Sequence, residues 1–209
     1  MKIKIAVLAL GRGSNLQSII DNIEAGKLDA EIACVISDVE NAPALERARK
    51  HKIESLFIDP QGKNKEDYYA EIARELKKRN VQLVVLAGFM RVIPDSFLKE
   101  FENLVINIHP SLLPSFPGLN AQRQAIDAGA KESGCTVHFV TPEVDGGPII
   151  LQQPVEVWED DNEETLSKRI LEEEHKILPK AIQLTAENRI LIQGKHVLIN
   201  WKDFEDKWK

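Results

Sequence analysis

Three polar side chains stand where apolar runs give way to stiff or glycine-rich segments: Asn107, His109 and Asp145. Leu104-Val105-Ile106 leads into Asn107-Ile-His-Pro-Ser-Leu-Leu-Pro114. In an extended segment, residues two apart point the same way. A donor amide and a titratable ring therefore leave a core strand side by side. Pro110 and Pro114 stiffen the loop beyond the strand, because each fixes its own φ and restricts the residue before it. This combination points to chemistry more than to packing. Asp145 lies in Asp145-Gly-Gly-Pro148, where an aspartate is by default a turn-former. Gly11-Arg-Gly-Ser-Asn15 sits between an apolar run and a helical pattern. Glycines there let backbone approach a ligand, and a helix start offers N–H groups and a positive dipole end to an anion. The spacing is neither the dinucleotide fingerprint nor a Walker loop. It suits a single phosphate, with Ser14 and Asn15 as side-chain partners, or else a tight turn that needs glycine. Ala87-Gly-Phe-Met-Arg91 ends another apolar run.

The elements that must carry these residues alternate. Residues 3–10 are a continuous apolar run, as in a strand covered on both faces. Leu16, Ile19, Ile20 and Ile23 then repeat at helical spacing up to Gly26. Strands are predicted at 30–36, 54–58 and 81–86, with helices at Ala42–Lys50 and Lys65–Arg79. A short helix over Pro94–Glu100 precedes a strand at Leu104–Asn107. Leu119–Ala128 reads as helical. Cys135–Thr141 and Ile149–Val157 read as a strand pair, with Pro154 marking an edge strand or a bulge. A long helix follows at Glu163–Glu187, capped by Asp161 or Asn162. The tail reads as a hairpin turning at Gln193-Gly-Lys195. The pattern predicts an α/β, Rossmann-like three-layer fold: a mostly parallel sheet, helices on both faces, and an antiparallel C-terminal part. It is read as a single domain over 1–209, with a nucleotide-binding half at 1–107 and a catalytic half at 108–209. In such sheets ligands bind beyond the carboxyl ends of the strands. Gly11, Met90, Asn107 and Asp145 all fall at such ends, and their convergence is what raises them above turn-formers.

Composition excludes several classes. The 209 residues carry a net charge of −6, with no basic footprint for nucleic acid. No apolar stretch reaches the ~20 residues needed to span a bilayer. The N-terminus reads as a strand and not as a signal peptide. The two cysteines, Cys34 and Cys135, read as buried free thiols in a reducing cytosol, so a cytoplasmic location is expected. His51, His138, His175 and the cysteines form no close cluster in sequence, so no metal is expected. His138, two residues after Thr136 on one strand face, either lines the site or is a satisfied core histidine.

Over nearly the whole length the chain resembles the phosphoribosylglycinamide formyltransferase family. The resemblance rests on GRGSNLQSII, VVLAGFMRVI, NIHPSLLPSFPGLNAQRQA, GCTVHFVTPEVDGGPIILQ and EEEHKILP. It implies transfer of the formyl group of 10-formyltetrahydrofolate to the amine of glycinamide ribonucleotide in purine biosynthesis, without a metal. It implies Asn107, His109 and Asp145 as the catalytic trio. Asn107 and an imidazolium His109 would donate to the tetrahedral oxyanion, and Asp145 would favour that imidazolium and hold a proton-carrying water. The ribonucleotide would meet Arg12, Gly13, Ser14, Asn15 and Glu174. The folate would meet Met90, Arg91, Val92, Ile93, Asn107, Thr141 and Val144, with Lys65 facing its carboxylates. Ser115-Phe116 departs from the lysine-tyrosine of some relatives, which leaves a phosphate contact there open. The implied partners are small molecules only, in a monomer or homodimer. The alternatives are a folate-dependent hydrolase, a formyltransferase for another amine, and a phosphate-binding module without catalysis.

Overall fold

The computed structural model describes residues 2–204 and Trp208. Met1, 205–207 and Lys209 lie outside the described residues. By packing, the chain divides into two compact units, Met1–Asn107 and Ile108–Lys209.

The first unit contains β1 (Ile3–Leu8), α1 (Ser14–Glu24), β2 (Ala30–Ser37), α2 (Pro43–Lys50), β3 (Ser55–Phe57), α3 (Lys65–Lys78), β4 (Leu83–Leu86) and α4 (Asp95–Glu100). It also holds most of β5 (Val105–His109), whose last two residues fall in the second unit. The strands run in the order β3-β2-β1-β4-β5, and every pairing is parallel. The sequence accounts for this: Ile5–Ala9 and Leu83–Val85 are fully covered apolar runs. Continuous runs of this kind suit strands with helices on both faces. Leu8 is in register with Leu86, and Leu86 with Asn107. The ends of β1, β4 and β5 thus lie side by side, as the positions of Gly11, Met90 and Asn107 had suggested. β1 stops at Leu8 and not at 10, because Leu10 N–H already turns to the Gly88 carbonyl. β5 runs through His109, two residues further than expected.

The second unit contains α5 (Ala121–Asp127), β6 (Glu132–Phe139), β7 (Ile149–Glu156), α6 (Glu163–Ala186), β8 (Ile190–Gln193) and β9 (His196–Ile199). β6 and β7 pair antiparallel, as do β8 and β9. β6 begins three residues before Cys135, the predicted start, because Gly134 belongs to the strand. A Cβ there would lie 2.1 Å from the Gln153 carbonyl oxygen, so the position needs glycine for close backbone approach. Pro154 sits opposite Gly134 on β7. The register shift falls instead at Val137/His138. The chain thus has the predicted α/β class: parallel in its first part, antiparallel in its last.

α6 is held at its start by polar contacts. The Asn162 side chain accepts from the N–H groups of Glu164 and Thr165, and Thr165 Oγ1 accepts from Asn162 N–H, closing a capping box. Asp161 accepts from Trp158 N–H (2.8 Å), Thr165 Oγ1 (2.8 Å) and both terminal nitrogens of Arg169. The Arg169 guanidinium stacks 3.7 Å from the Trp158 ring. Its donated bonds hold the Asp161 carboxyl well below the usual carboxylate range. Such a group adds stability above its ordinary pKa that is lost as pH falls through the lowered folded value. Asp161→Ala should cost about 3 kcal/mol at pH 7, since it strands a largely covered guanidinium. In thermal melts, the gap to the parent should narrow as pH falls below about 4. A gap that stayed constant would contradict this account.

Candidate active site

β5 delivers Asn107 and His109 to the same side of one strand, because both lie inside extended backbone. His109 is 5% exposed. Its Nδ1 lies 3.4 Å from Asp145 Oδ2, and its Nε2 lies 3.0 Å from the Phe116 carbonyl oxygen. A carbonyl only accepts, so Nε2 carries a proton. Nδ1 faces a carboxylate, which also only accepts. The imidazolium is the form that donates on both sides.

Asp145 is at the centre. Its side chain is 11% exposed, and its φ is +53. Its Oδ2 accepts from Gly118 N–H at 2.8 Å. Its Oδ1 lies 3.6 Å from His138 Nε2. His138 Nδ1 is 2.9 Å from the Phe139 carbonyl, which places the proton on Nδ1. Burial pushes the His138 ring down from its ordinary value, against the upward pull of that carbonyl and of Asp145. The turn that carries Asp145 needs its glycines. A Cβ on Gly147 would sit 1.8 Å from the Phe139 carbonyl oxygen, and one on Gly146 would run into the Glu143 side chain. A cavity of about 350 Å³ is lined by Leu113, Pro114, Asp145, Gly147 and, from the tail hairpin, Lys195 and His196.

The segment after β5 is braced from β6 and β7. Thr136 Oγ1 donates to Ser111 O (2.7 Å) and accepts from Leu113 N–H (3.1 Å). Gln152 Nε2 donates to Leu113 O (2.8 Å) and to Thr136 Oγ1 (2.9 Å). Ser111 Oγ donates to Ser115 O at 2.5 Å. The stiffness read into the prolines is therefore shared with a buried hydrogen-bond network.

In the first unit, Gly13 is the N-cap of α1 at φ +69, and no side chain caps that helix. A Cβ on Gly13 would sit 2.9 Å from Ala44. Arg47 Nε donates to the Arg12 carbonyl at 2.8 Å, and Arg47 Nη1 to Gln17 Oε1 at 3.1 Å. The turn is thus pressed against α2. Ser14 opens α1, Asn15 follows it and is 8% exposed, and the Arg12 side chain is exposed. Met90 and Val92 are 71% and 57% exposed, while Ile93 is buried. The Arg91 side chain turns away to an ion pair with Asp38, 5.6 Å above the Tyr68 ring. Lys65 is exposed at the start of α3. In the second unit Thr141 Oγ1 donates to the Glu143 carbonyl, and Val144 is 59% exposed. Glu174 is 7% exposed on α6, unlike exposed Glu172 and the Lys176-paired Glu173.

The structure therefore brings His109 and Asp145 together and adds His138 to them, which spacing alone left undecided. The Phe116 carbonyl and Gly118 N–H were missed. They act through backbone, which side-chain types do not reveal. Both cysteines are buried free thiols, and burial pushes Cys34 up to about 12. Among the described residues no His/Cys/Asp/Glu group could hold a metal, and no helix is long and apolar enough to cross a membrane.

This arrangement has known counterparts. The chain belongs to the formyl transferase family, whose model matches residues 3–182. Phosphoribosylglycinamide formyltransferase of Haemophilus influenzae is 40% identical over 200 residues, 95% of this chain and 94% of that protein. The crystal structure of glycinamide ribonucleotide transformylase 1 from Symbiobacterium toebii matches with a TM-score of 0.93 at 50% identity, covering 95% of this chain and 94% of that one. The trifunctional purine biosynthetic protein adenosine-3 of Drosophila melanogaster is 45% identical over 192 residues, and this chain spans 14% of its length.

The His138 assignment is measurable. Its lowered value means that the folded state resists a proton the unfolded chain accepts. Its contribution to stability is therefore complete above the ordinary histidine pKa of about 6.5, and is lost as pH falls from there through the lowered folded value. Ring ¹⁵N spectra should show His138 mostly neutral, with the proton on Nδ1, at about pH 6.5, where an ordinary histidine is half protonated. A protonated His138 at that pH would refute the assignment.

Proposed function

We propose that this chain transfers the formyl group of 10-formyltetrahydrofolate directly to the glycinamide amine of phosphoribosylglycinamide, a step of purine biosynthesis. The observation that carries this reading is His109, its two ring nitrogens set against a carboxylate and a carbonyl, beside Asn107 on one strand. The named relatives of similar length support the same activity.

The amine nitrogen attacks the formyl carbon, and a tetrahedral oxyanion forms. Asn107 donates its amide N–H to that oxygen. Imidazolium His109 donates Nε2–H, sharing it away from the Phe116 carbonyl as charge develops. A lost donor of this kind typically costs ~2.7–4 kcal/mol. Asp145 stabilises the imidazolium and accepts, through a water, the proton released by the amine. That proton passes to the folate nitrogen as the carbon–nitrogen bond to the folate breaks. Formyl, proton and electron pairs all balance without a covalent enzyme intermediate. Holding the two substrates in register supplies much of the rate.

In this reading Gly13, Ser14 and Asn15, with the adjacent Arg12, take the ribonucleotide phosphate, and Glu174 takes a ribose hydroxyl. Met90, Val92 and Ile93 supply an apolar edge for the pterin, with Thr141 and Val144 from the aspartate turn. Arg91 serves through its backbone, since its side chain pairs with Asp38. Lys65 meets the folate carboxylates from α3.

One assay tests the whole: 10-formyltetrahydrofolate with and without the ribonucleotide, followed by folate absorbance. Turnover that requires the ribonucleotide is expected, and turnover without it would mean hydrolysis and overturn the reading. His109→Ala and Asp145→Ala should each lower kcat by roughly 10²–10³-fold, with ribonucleotide affinity changed by less than about twofold. Near-normal turnover in Asp145→Ala would remove the proton relay.

A further inference from the structure

The segment 115–120 touches both members of the His109–Asp145 pair. The Phe116 carbonyl faces His109 Nε2, and Gly118 N–H donates to Asp145 Oδ2. Its backbone is not one the sequence favours. Phe116, Gly118 and Asn120 have φ of +55, +78 and +57. For a residue other than glycine this region is unfavourable. Such a segment keeps its shape only where its surroundings impose it.

The imposing group is Gln124 on α5. Its Nε2 donates to the Pro117 carbonyl and to the Leu119 carbonyl, each at 2.9 Å. One amide nitrogen carries two hydrogens, and here each has its own acceptor. These carbonyls flank Gly118. The Pro117 C=O and the Gly118 N–H also belong to one planar trans peptide, so they point in opposite directions. Anchoring that oxygen on Gln124 aims that hydrogen at Asp145. Bonds in such a chain also polarise one another, which strengthens the last of them.

We infer that Gln124 is a positioning residue for formyl transfer, acting through the Pro117–Gly118 peptide on the Asp145 carboxylate. This rests on the proposed function. The Gln124 amide bonds to the two loop carbonyls and to neither His109 nor Asp145. Nothing in its residue type marks it out.

The test uses the full-length protein with Gln124→Met, which keeps the shape and removes both donors. Gln124→Asn keeps the amide on a shorter stem. Expected are a kcat lowered about 10- to 100-fold by Gln124→Met, KM for the ribonucleotide within about twofold, and an intermediate kcat for Gln124→Asn. Exchange of the Gly118 amide hydrogen should quicken by about tenfold in Gln124→Met. In an Asp145→Ala background, where the peptide has lost its target, Gln124→Met should leave the single-turnover rate unchanged. A kcat within about twofold of the parent with Gly118 still protected would overturn the inference. So would rate losses that multiply in the Asp145→Ala background, since Gln124 would then act elsewhere. If Gln124→Met fails to fold, the same measurements on Gln124→Asn decide. A parent protein without ribonucleotide-dependent turnover would sink the functional reading alone, and Gly118 exchange would still report whether Gln124 aims the peptide.

Discussion

Placing the Asp145 carboxylate where water barely reaches it is the constraint to which the segments around it answer. Taking a charge out of water costs several kcal/mol. One hydrogen bond to a charged group returns about 1.5–3 kcal/mol, so the Gly118 N–H alone does not offset it. A compensating positive charge is needed, and two imidazoles stand close enough to supply it. They are not equivalent. His138 is the more buried, its Nδ1 proton is committed to the Phe139 carbonyl, and burial disfavours its charged form. His109 is the ring whose two nitrogens face a carboxylate and a carbonyl, both of which only accept.

That requirement explains backbone features that otherwise look unfavourable. Asp145 lies in the left-handed region, and Gly147 comes so close to Phe139 that no side chain fits. Phe116 also lies in the left-handed region, where a bulky residue is rare. Each conformation is held from outside: by the Phe139–Pro148 backbone bond, by Gln124, and by the Thr136–Gln152 network beneath Ser111–Ser115. β6 and β7 form a support whose polar side chains, buried Thr136 and exposed Gln152, point at a loop. Thr136 reads as an ordinary strand residue until its hydroxyl is seen to serve two backbone groups of that loop.

The same facts separate what was legible in the sequence from what was not. Strand and helix alternation was legible because covered parallel strands are written as unbroken apolar runs. Asn107 and His109 were legible because period-two geometry needs only that the segment be extended. Asp145 was less so, since a turn-forming aspartate and a buried carboxylate have the same local signature. His138 stayed ambiguous because its role depends on a residue seven positions away across a hairpin turn. Gln124, Gly118 and the Phe116 carbonyl were invisible: they act through backbone atoms and unusual φ values, which residue types do not encode. Arg91 shows the reverse, a cation beside a predicted ligand edge whose charge is committed to Asp38.

A protein of net charge −6 can hold an anion only where positive potential is concentrated locally. Screening limits the reach of the overall charge to about 8–10 Å at physiological salt, so the nearest groups decide. Of the helices with eight or more residues, α2, α3 and α6 carry glutamate or aspartate in the first turn, which already answers the dipole. α3 and α6 also have asparagine caps whose side chains accept their first N–H groups. α1 has neither an acidic first turn nor a side-chain cap, and its cap residue is Gly13. Its own first turn holds no carboxylate against the dipole, and Arg47 binds the preceding carbonyl of Arg12. An anion seated there gains from the dipole what the other helix starts have assigned to side chains. On physical grounds the glycine-rich turn is the place in the first unit best suited to a phosphate.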